Sequence, residues 1–257
     1  GKLSRGLGDV YKRQGEYGDD LIDGRNASSI QRIYGGYGND TIYGTASDDW
    51  VEGADGNDTI NVGDGNNYVW GGWSSGSEGA QSNDVIISGI GNDRIYGGEG
   101  NDQITTTGGD NELFGGDGDD IIIAGSGIDI IQGGHGDDQI TAGGGNDTIY
   151  GGTSSTKSGK DGDIDTSDIY VLSGTKDDYR LSRATNSTFD YVYYLQDIRD
   201  GSPDGLNTLY DIDKLQFSDS SQINLAEFYL EKLNDGSSGE TITCLLYTSD
   251  AADEWWW

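Results

Sequence analysis

From Asn83 to Gly152 the chain repeats one nine-residue phrase with small errors. Read from Gly115 it runs GGDGDDIII, AGSGIDIIQ, GGHGDDQIT, AGGGNDTIY. The eighth place is aliphatic: Ile86, Ile95, Ile104, Leu113, Ile122, Ile131, Ile140 and Ile149, in unbroken steps of nine. The sixth place, two residues earlier, holds Asp84, Asp93, Asp102, Asn111, Asp120, Asp129, Asp138 and Asp147. A period of nine fits neither an α-helix nor an alternating strand, so the repeat itself must set the architecture.

Three residues such as Thr148-Ile149-Tyr150 suffice for a very short strand, its central side chain facing one way and its neighbours the other. The glycine-rich residues before them are turn material, because glycine accepts the positive φ of tight bends. Turn plus strand, repeated, winds into a flattened coil with two phrases per lap. Each aliphatic then faces inward, and the sixth-place acids of alternate phrases stack on one edge. Carboxylates stacked at a strand spacing of roughly 4.8 Å repel one another unless a cation lies between them. Oxygen-only donors suit a hard ion, and Ca2+ accepts their irregular geometry more readily than Mg2+.

Pairing two phrases apart puts Asp102, Asp120 and Asp138 in one column and Asp129 with Asp147 in the other. Earlier in the chain, Asp20, Asp40, Asp49, Asp58 and Asn67 occupy the sixth place, with Asp40 and Asp58 the best early pair. Asn67 and Asn111 offer a neutral oxygen in place of a charge, so sites built on them should be weaker.

GGHGDDQIT from Gly133 and GGEGNDQIT from Gly97 match every defined position of GGxGxDxUx. The repeat thus resembles the RTX (haemolysin-type) calcium-binding nonapeptide. That resemblance implies an all-β chain: a parallel β-roll solenoid of nonapeptide repeats with a small, mainly-β C-terminal cap. It also implies several bound Ca2+ ions, held by the sixth-place side chains and by carbonyls of turn glycines such as Gly98, Gly100, Gly116, Gly118, Gly134 and Gly136.

Composition fits a metal-dependent fold. The chain has 257 residues, 45 glycines and a net charge of −31. Low hydrophobicity with such charge reads as disorder in a chain without metal. About ten Ca2+ would cancel roughly 20 charges and let a thin aliphatic core suffice. The same acidity argues against nucleic acid or an anionic membrane as partner, and no apolar run approaches the ~18 residues of a transmembrane helix.

The expected organisation has four parts. Residues 1–14 and the end of the chain look foreign. DVYKRQ (Asp9 to Gln14) and CLLYTS (Cys244 to Ser249) are what a tagmentation adaptor and its reverse complement encode, as in a metagenomic fragment. Residues 15–152 form the roll. Within it the phrase around Ile33 is two residues too long, and the step from Val69 to Ile86 is 17, predicting an enlarged turn at 71–83. Residues 153–235 form the cap, with strands at Tyr179 to Ser182, Tyr191 to Asp197 and Leu209 to Phe217 and a short helix at Asn224 to Leu233. Residues 236–257 open a further repeat before the tail. With Cys244 foreign, metal and not disulfide would staple the fold.

Motifs for chemistry are weak. GWSSG (Gly72 to Gly76) fits a nucleophile elbow, but the lone His135 sits in a repeat and no helix pattern follows. DGDID (Asp161 to Asp165) opens like an EF-hand loop but lacks its turn glycine and closing Glu. The expected function is a non-catalytic Ca2+-binding module, and the resemblance to the RTX family implies a secreted bacterial protein that folds outside the cell after type I export. A stripe of outward aromatics on one sheet (Trp50, Tyr68, Trp70, Tyr96, Phe114 and Tyr150) offers two alternatives: a glycan-binding or adhesin face, or a surface covered by a neighbouring module. A further alternative is the tail of an enzyme whose chemistry lies upstream.

Overall fold

The computed structural model describes residues 3–4, 12–28, 32–72, 82–152, 167–185, 191–225 and 242–245. Through the repeats, successive strands alternate between two sheets, so that each sheet is there a stack of every second strand. The first sheet includes Leu21–Asp23, Thr41–Tyr43, Thr59–Gly63, Val85–Ser88, Gln103–Thr105, Ile121–Ile123, Gln139–Thr141 and Ile169–Val171. The second includes Arg32–Tyr37, Trp50–Asp55, Tyr68–Trp70, Arg94–Glu99, Glu112–Asp117, Ile130–His135 and Thr148–Gly152. All pairings among these are parallel, as a coil with one strand per sheet per lap requires.

The core is the eighth-place column. Ile22, Ile33, Ile42, Val51, Ile60, Val69, Ile86, Ile95, Ile104, Leu113, Ile122, Ile131, Ile140 and Ile149 are at most 1% exposed, which bears out the inward reading of the repeat. Register follows from it, because slipping a strand by one residue would turn its aliphatic to solvent.

The two sheets are built differently. First-sheet strands in the regular repeats are three residues long, as expected. Second-sheet strands such as Arg94–Glu99, Glu112–Asp117 and Ile130–His135 run on for six, through the first three places of the next phrase. Gly98, Gly116 and Gly134 make this extension possible. They pair across laps at φ of 129°, 128° and 130°, and a methyl group on Gly116 or Gly134 would collide with the carbonyl oxygen of the glycine one lap before.

Lap length varies while register holds. The ordinary step is 18 residues, as in Ile104 opposite Ile122. The early irregular phrase gives a step of 20, Ile22 opposite Ile42. Around the enlarged turn the step is 26, with Ile60 opposite Ile86 and Val69 opposite Ile95. Residues 73–81 of that turn, including Ser74 of GWSSG, lie outside the described residues, as do DGDID and residues 226–233 of the helix expected from Asn224 to Leu233, whose first residue instead closes the strand Gln222–Asn224.

The stretch expected as one strand from Leu209 to Phe217 is instead two. Leu206–Tyr210 pairs parallel with Thr148–Gly152 in the second sheet, and Lys214–Gln216 pairs parallel with Ile169–Val171 in the first. Asp211, at φ 50°, turns the chain between them. Residues 206–216 are therefore one more crossing of the roll, with Leu209 and Leu215 fully buried in the aliphatic column. Antiparallel strands finish both sheets: Tyr191–Asp197 and Tyr179–Thr185 in the second, Gln222–Asn224 in the first. Such strands cover the edges that an open solenoid would leave bare. Tyr179, Leu181, Leu195, Phe217 and Leu225 extend the core beneath them.

At the ends, Leu3–Ser4 and Lys12–Gln14 pair parallel with Leu21–Ile22 and Arg32–Tyr34 as further rungs. Ile242–Leu245, in the stretch expected to open a further repeat, pairs antiparallel with Arg180–Arg183 of the strand Tyr179–Thr185. Among the described residues no helix is long and apolar enough to cross a membrane.

Candidate metal-binding rims

The sixth-place residues line the two rims where the chain crosses between sheets. On the rim leading from the second sheet to the first, each backbone N–H donates to the carboxylate one lap further on. Asp20 donates to Asp40 Oδ1 (2.8 Å), Asp40 to Asp58 (2.7 Å), Asp58 to Asp84 (2.7 Å), Asp84 to Asp102 (2.7 Å), Asp102 to Asp120 (2.7 Å) and Asp120 to Asp138 (2.9 Å). Asp138 continues to Asp168, and Asp168 to Asp213 Oδ2. The opposite rim runs from Asp49 to Asn67 (2.9 Å), Asp93 (2.8 Å), Asn111 (3.0 Å), Asp129 (2.8 Å), Asp147 (2.9 Å) and finally Asn207 (2.8 Å). The two-phrase pairing read from the repeat holds from Asp84 to Asp138 and from Asp93 to Asp147. Asp168, Asp213 and Asn207 extend the rows beyond the residues expected from sequence. An Asp or Asn two residues before a buried tyrosine or leucine (Tyr170, Leu209 and Leu215), the spacing of the repeat, was the signal for them.

One oxygen per carboxylate is consumed by this ladder. The other is not: Oδ2 of Asp40, Asp58, Asp84, Asp102 and Asp120, and of Asp129 and Asp147 on the opposite rim, is buried with no hydrogen-bond partner. These residues are at most 2% exposed. A buried carboxylate oxygen without a donor is costly, and a row of them is costlier. The expense appears in their proton affinity. Burial, above all, pushes Asp58, Asp102 and Asp120 up to about 8 and Asp84 and Asp147 up to about 7. Their ladder hydrogen bonds oppose the rise, and neighbouring carboxylates add to it at every one except Asp84. Asp40, Asp93 and Asp129 are raised for the same leading reason.

The first-place glycines explain why Oδ2 can sit there. A methyl group on Gly35, Gly53, Gly97, Gly115 or Gly133 would collide with Oδ2 of Asp40, Asp58, Asp102, Asp120 or Asp138 respectively. Gly100, Gly118 and Gly136 close the same turns at φ of 114°, 121° and 118°, Gly100 and Gly118 each donating to a carbonyl one lap on. Among the described residues, no three His, Cys, Asp or Glu side chains converge on one metal position. A cation on this rim must therefore take main-chain oxygens as well as carboxylates, a donor set that suits Ca2+. The all-Asp rim fits such an ion.

The family comparison agrees. Four copies of the RTX calcium-binding nonapeptide repeat match, at residues 34–69, 78–113, 96–131 and 123–154. The chain carries RTX calcium-binding repeats. Its parallel β-solenoid is consistent with an RTX β-roll, and the matched repeats imply Ca2+ binding. Among curated proteins no relative matches the chain at a significant level.

A second ladder was not foreseen. The fifth-place residue binds the lap before, not the lap after: Asn57 N–H donates to Asn39 Oδ1, Asn83 to Asn57, Asn101 to Asn83, Asp119 to Asn101 and Asp137 to Asp119. The opposite rim repeats it through Asp48, Asn66, Asn92 and Asp110. The recurrence of Asn or Asp before the sixth-place acid was the available signal. His135 sits half-exposed, 3.9 Å from Asp117.

The aromatic stripe lies on the second sheet as expected, with Tyr34 and Tyr210 added. Its rings contact one another. Tyr96 and Phe114 stack at 4.7 Å, Tyr150 and Tyr210 at 4.6 Å, and Trp50, Tyr68, Trp70 and Tyr96 meet at 5.5–6.4 Å. Arg32 lies over Trp50, and Arg94 over Tyr96 and Phe114.

Proposed function

We propose that this RTX roll is a non-catalytic Ca2+-dependent folding module of a secreted bacterial protein, with the ions held along its rims. The observation that carries the reading is the row of buried, partnerless Oδ2 atoms from Asp40 to Asp120. Asp40, Asp58, Asp84, Asp102, Asp120 and Asp138 would supply the anionic donors on one rim, Asp129 and Asp147 on the other, and turn carbonyls near Gly98, Gly100, Gly116, Gly118, Gly134 and Gly136 the neutral ones. Bound Ca2+ supplies the positive charge that lets the stacked carboxylates stay ionised. The residues themselves hold the laps in register and keep side chains out of the donor row. Extracellular modules bind Ca2+ at roughly 10⁻⁴–10⁻³ M, which suits a chain unfolded in the cytosol and folded after type I export.

The test is circular dichroism of the purified chain with and without Ca2+. Coil in chelator and β-structure at millimolar Ca2+ is expected; a folded spectrum in EDTA at neutral pH would sink the proposal. The self-stacking of Tyr96 with Phe114 and of Tyr150 with Tyr210 favours packing over a sugar platform for the aromatic stripe, because the facing ring surfaces are already occupied.

A further inference from the structure

The two rims differ chemically, and the difference follows phrase parity. On the all-Asp rim the phrases in the regular repeats begin Gly-Gly, and each Oδ2 faces a bare glycine. On the opposite rim they begin with Val62, Ser88, Thr106, Ala124 and Ala142, the exception being the Asp49 phrase, which begins with Gly44. There the side chains around the sixth place satisfy each other. Asn67 Nδ2 donates to Gly65 O (3.0 Å) and to Asp93 Oδ1 (3.0 Å). Asn111 Nδ2 donates to Gly109 O (2.9 Å), Thr106 Oγ1 (3.2 Å) and Asp129 Oδ1 (2.9 Å). The second oxygen of Asp93 accepts from the Ser88 hydroxyl, and that of Asp49 from the backbone N–H of Thr45. Only Asp129 and Asp147, at the far end, have an Oδ2 without a partner on this rim among the described residues.

We infer that the rim from Asp49 through Asn67 and Asp93 to Asn111 is a cation-free seam, in which side-chain amides and hydroxyls stand where the other rim places metal. The Asn amide group does what a cation would do: it bridges a turn carbonyl on its own lap to a carboxylate on the next. It does so without bringing a charge, and it presents N–H donors where an ion needs oxygen. Calcium is thereby confined to the all-Asp rim and to the Asp129–Asp147 end. The expectation that Asn67 and Asn111 make weaker calcium sites is replaced by one in which they make none.

This inference rests on the calcium reading, and one experiment separates the two. Bound Ca2+ per chain is measured by equilibrium dialysis with ⁴⁵Ca2+ for the wild-type chain and for Asp93→Asn, Asp49→Asn and Asp102→Asn. Each substitution keeps the ladder oxygen and removes the charge. The count should stay unchanged for Asp93→Asn and fall for Asp102→Asn. Loss of bound Ca2+ in Asp93→Asn, with the Ca2+-loaded β spectrum retained, overturns the seam. Should Asp93→Asn not reach that spectrum, Asp49→Asn reads the same seam with the same two outcomes. A wild-type chain that binds no Ca2+ would instead defeat the calcium reading itself.

Discussion

The backbone N–H of Asp102 donates to Oδ1 of Asp120, 2.7 Å away and one lap further along the solenoid. Its neighbour Asn101 donates the other way, to Asn83 Oδ1 on the lap before. Adjacent residues of one turn thus fasten a lap to both its neighbours.

Removing one such acceptor should therefore be felt twice. Asp120→Ala strips the acceptor from a buried N–H, at a cost of about 1–3 kcal/mol, and deletes a proposed calcium donor. Asp120→Asn keeps the acceptor and loses only the charge. The Ca2+ midpoint for folding, followed by circular dichroism, should rise most for Asp120→Ala, less for Asp120→Asn and least for Asp49→Ala. Equal shifts for Asp120→Ala and Asp49→Ala would contradict the pairing of rims and charges described above.

Protons should substitute in part for metal. Carboxylates that titrate near 4 in an unfolded chain titrate at about 8 at Asp58, Asp102 and Asp120 in the metal-free roll. A raised folded pKa stabilises below the unfolded value, and the contribution is lost as pH rises through 7 to 8. Metal-free chain should gain β-structure as pH falls from 9 to 5. A dialysed, metal-free chain equally unfolded at both pH values would refute this.

Glycine position should predict severity. Gly115→Ala places a methyl group against Asp120 Oδ2 and the Gly133 carbonyl. Gly18→Ala meets nothing within 4 Å and bears only its positive φ of 88°, worth about 1–2 kcal/mol. Thermal unfolding in saturating Ca2+ should show the larger loss for Gly115→Ala. Equal losses would mean that close approach to the carboxylate row is not what holds that glycine in place.

The finishing strands carry a separate, metal-independent anchor. Arg199 pairs with Asp197 at 2.8 Å and Asp204 at 3.1 Å, and Asp204 also accepts from Ser173 and from the Tyr179 hydroxyl. Burial works to raise Asp197, but the Arg199 hydrogen bond and the N–H groups of Asp204 and Arg199 outweigh it and hold it below its usual range. Arg199→Met should leave Asp197 buried without its cation, costing about 3 kcal/mol after allowance for the partly exposed guanidinium. Urea unfolding at fixed high Ca2+ checks the value. A change within error would show the anchor to be idle.

Much of the fold was legible because the period carries it. The aliphatic column from Ile86 to Ile149 and the two-phrase pairing of sixth-place acids needed only counting. What escaped lay where one residue type serves two purposes. Asn101 and Asn83 read as filler beside the acids, because a side chain that hydrogen-bonds backbone leaves no hydrophobic period behind. Leu209 to Phe217 read as one strand because its interspersed apolar residues, Leu209, Tyr210, Ile212, Leu215 and Phe217, hide the left-handed Asp211 that folds it across the roll. The contrast between rims was visible in Gly97 against Ser88, but only after phrases are sorted by parity.

Steps of 18, 20, 26 and, from Asp147 to Asn207, 60 residues all re-enter the same columns. Position in the solenoid is thus set by which column a residue joins and not by its distance along the chain. A turn between the sheets can consequently host grafted loops of very different length while every row downstream keeps its partners, so new surface features can be added to such a scaffold without redesigning its interior.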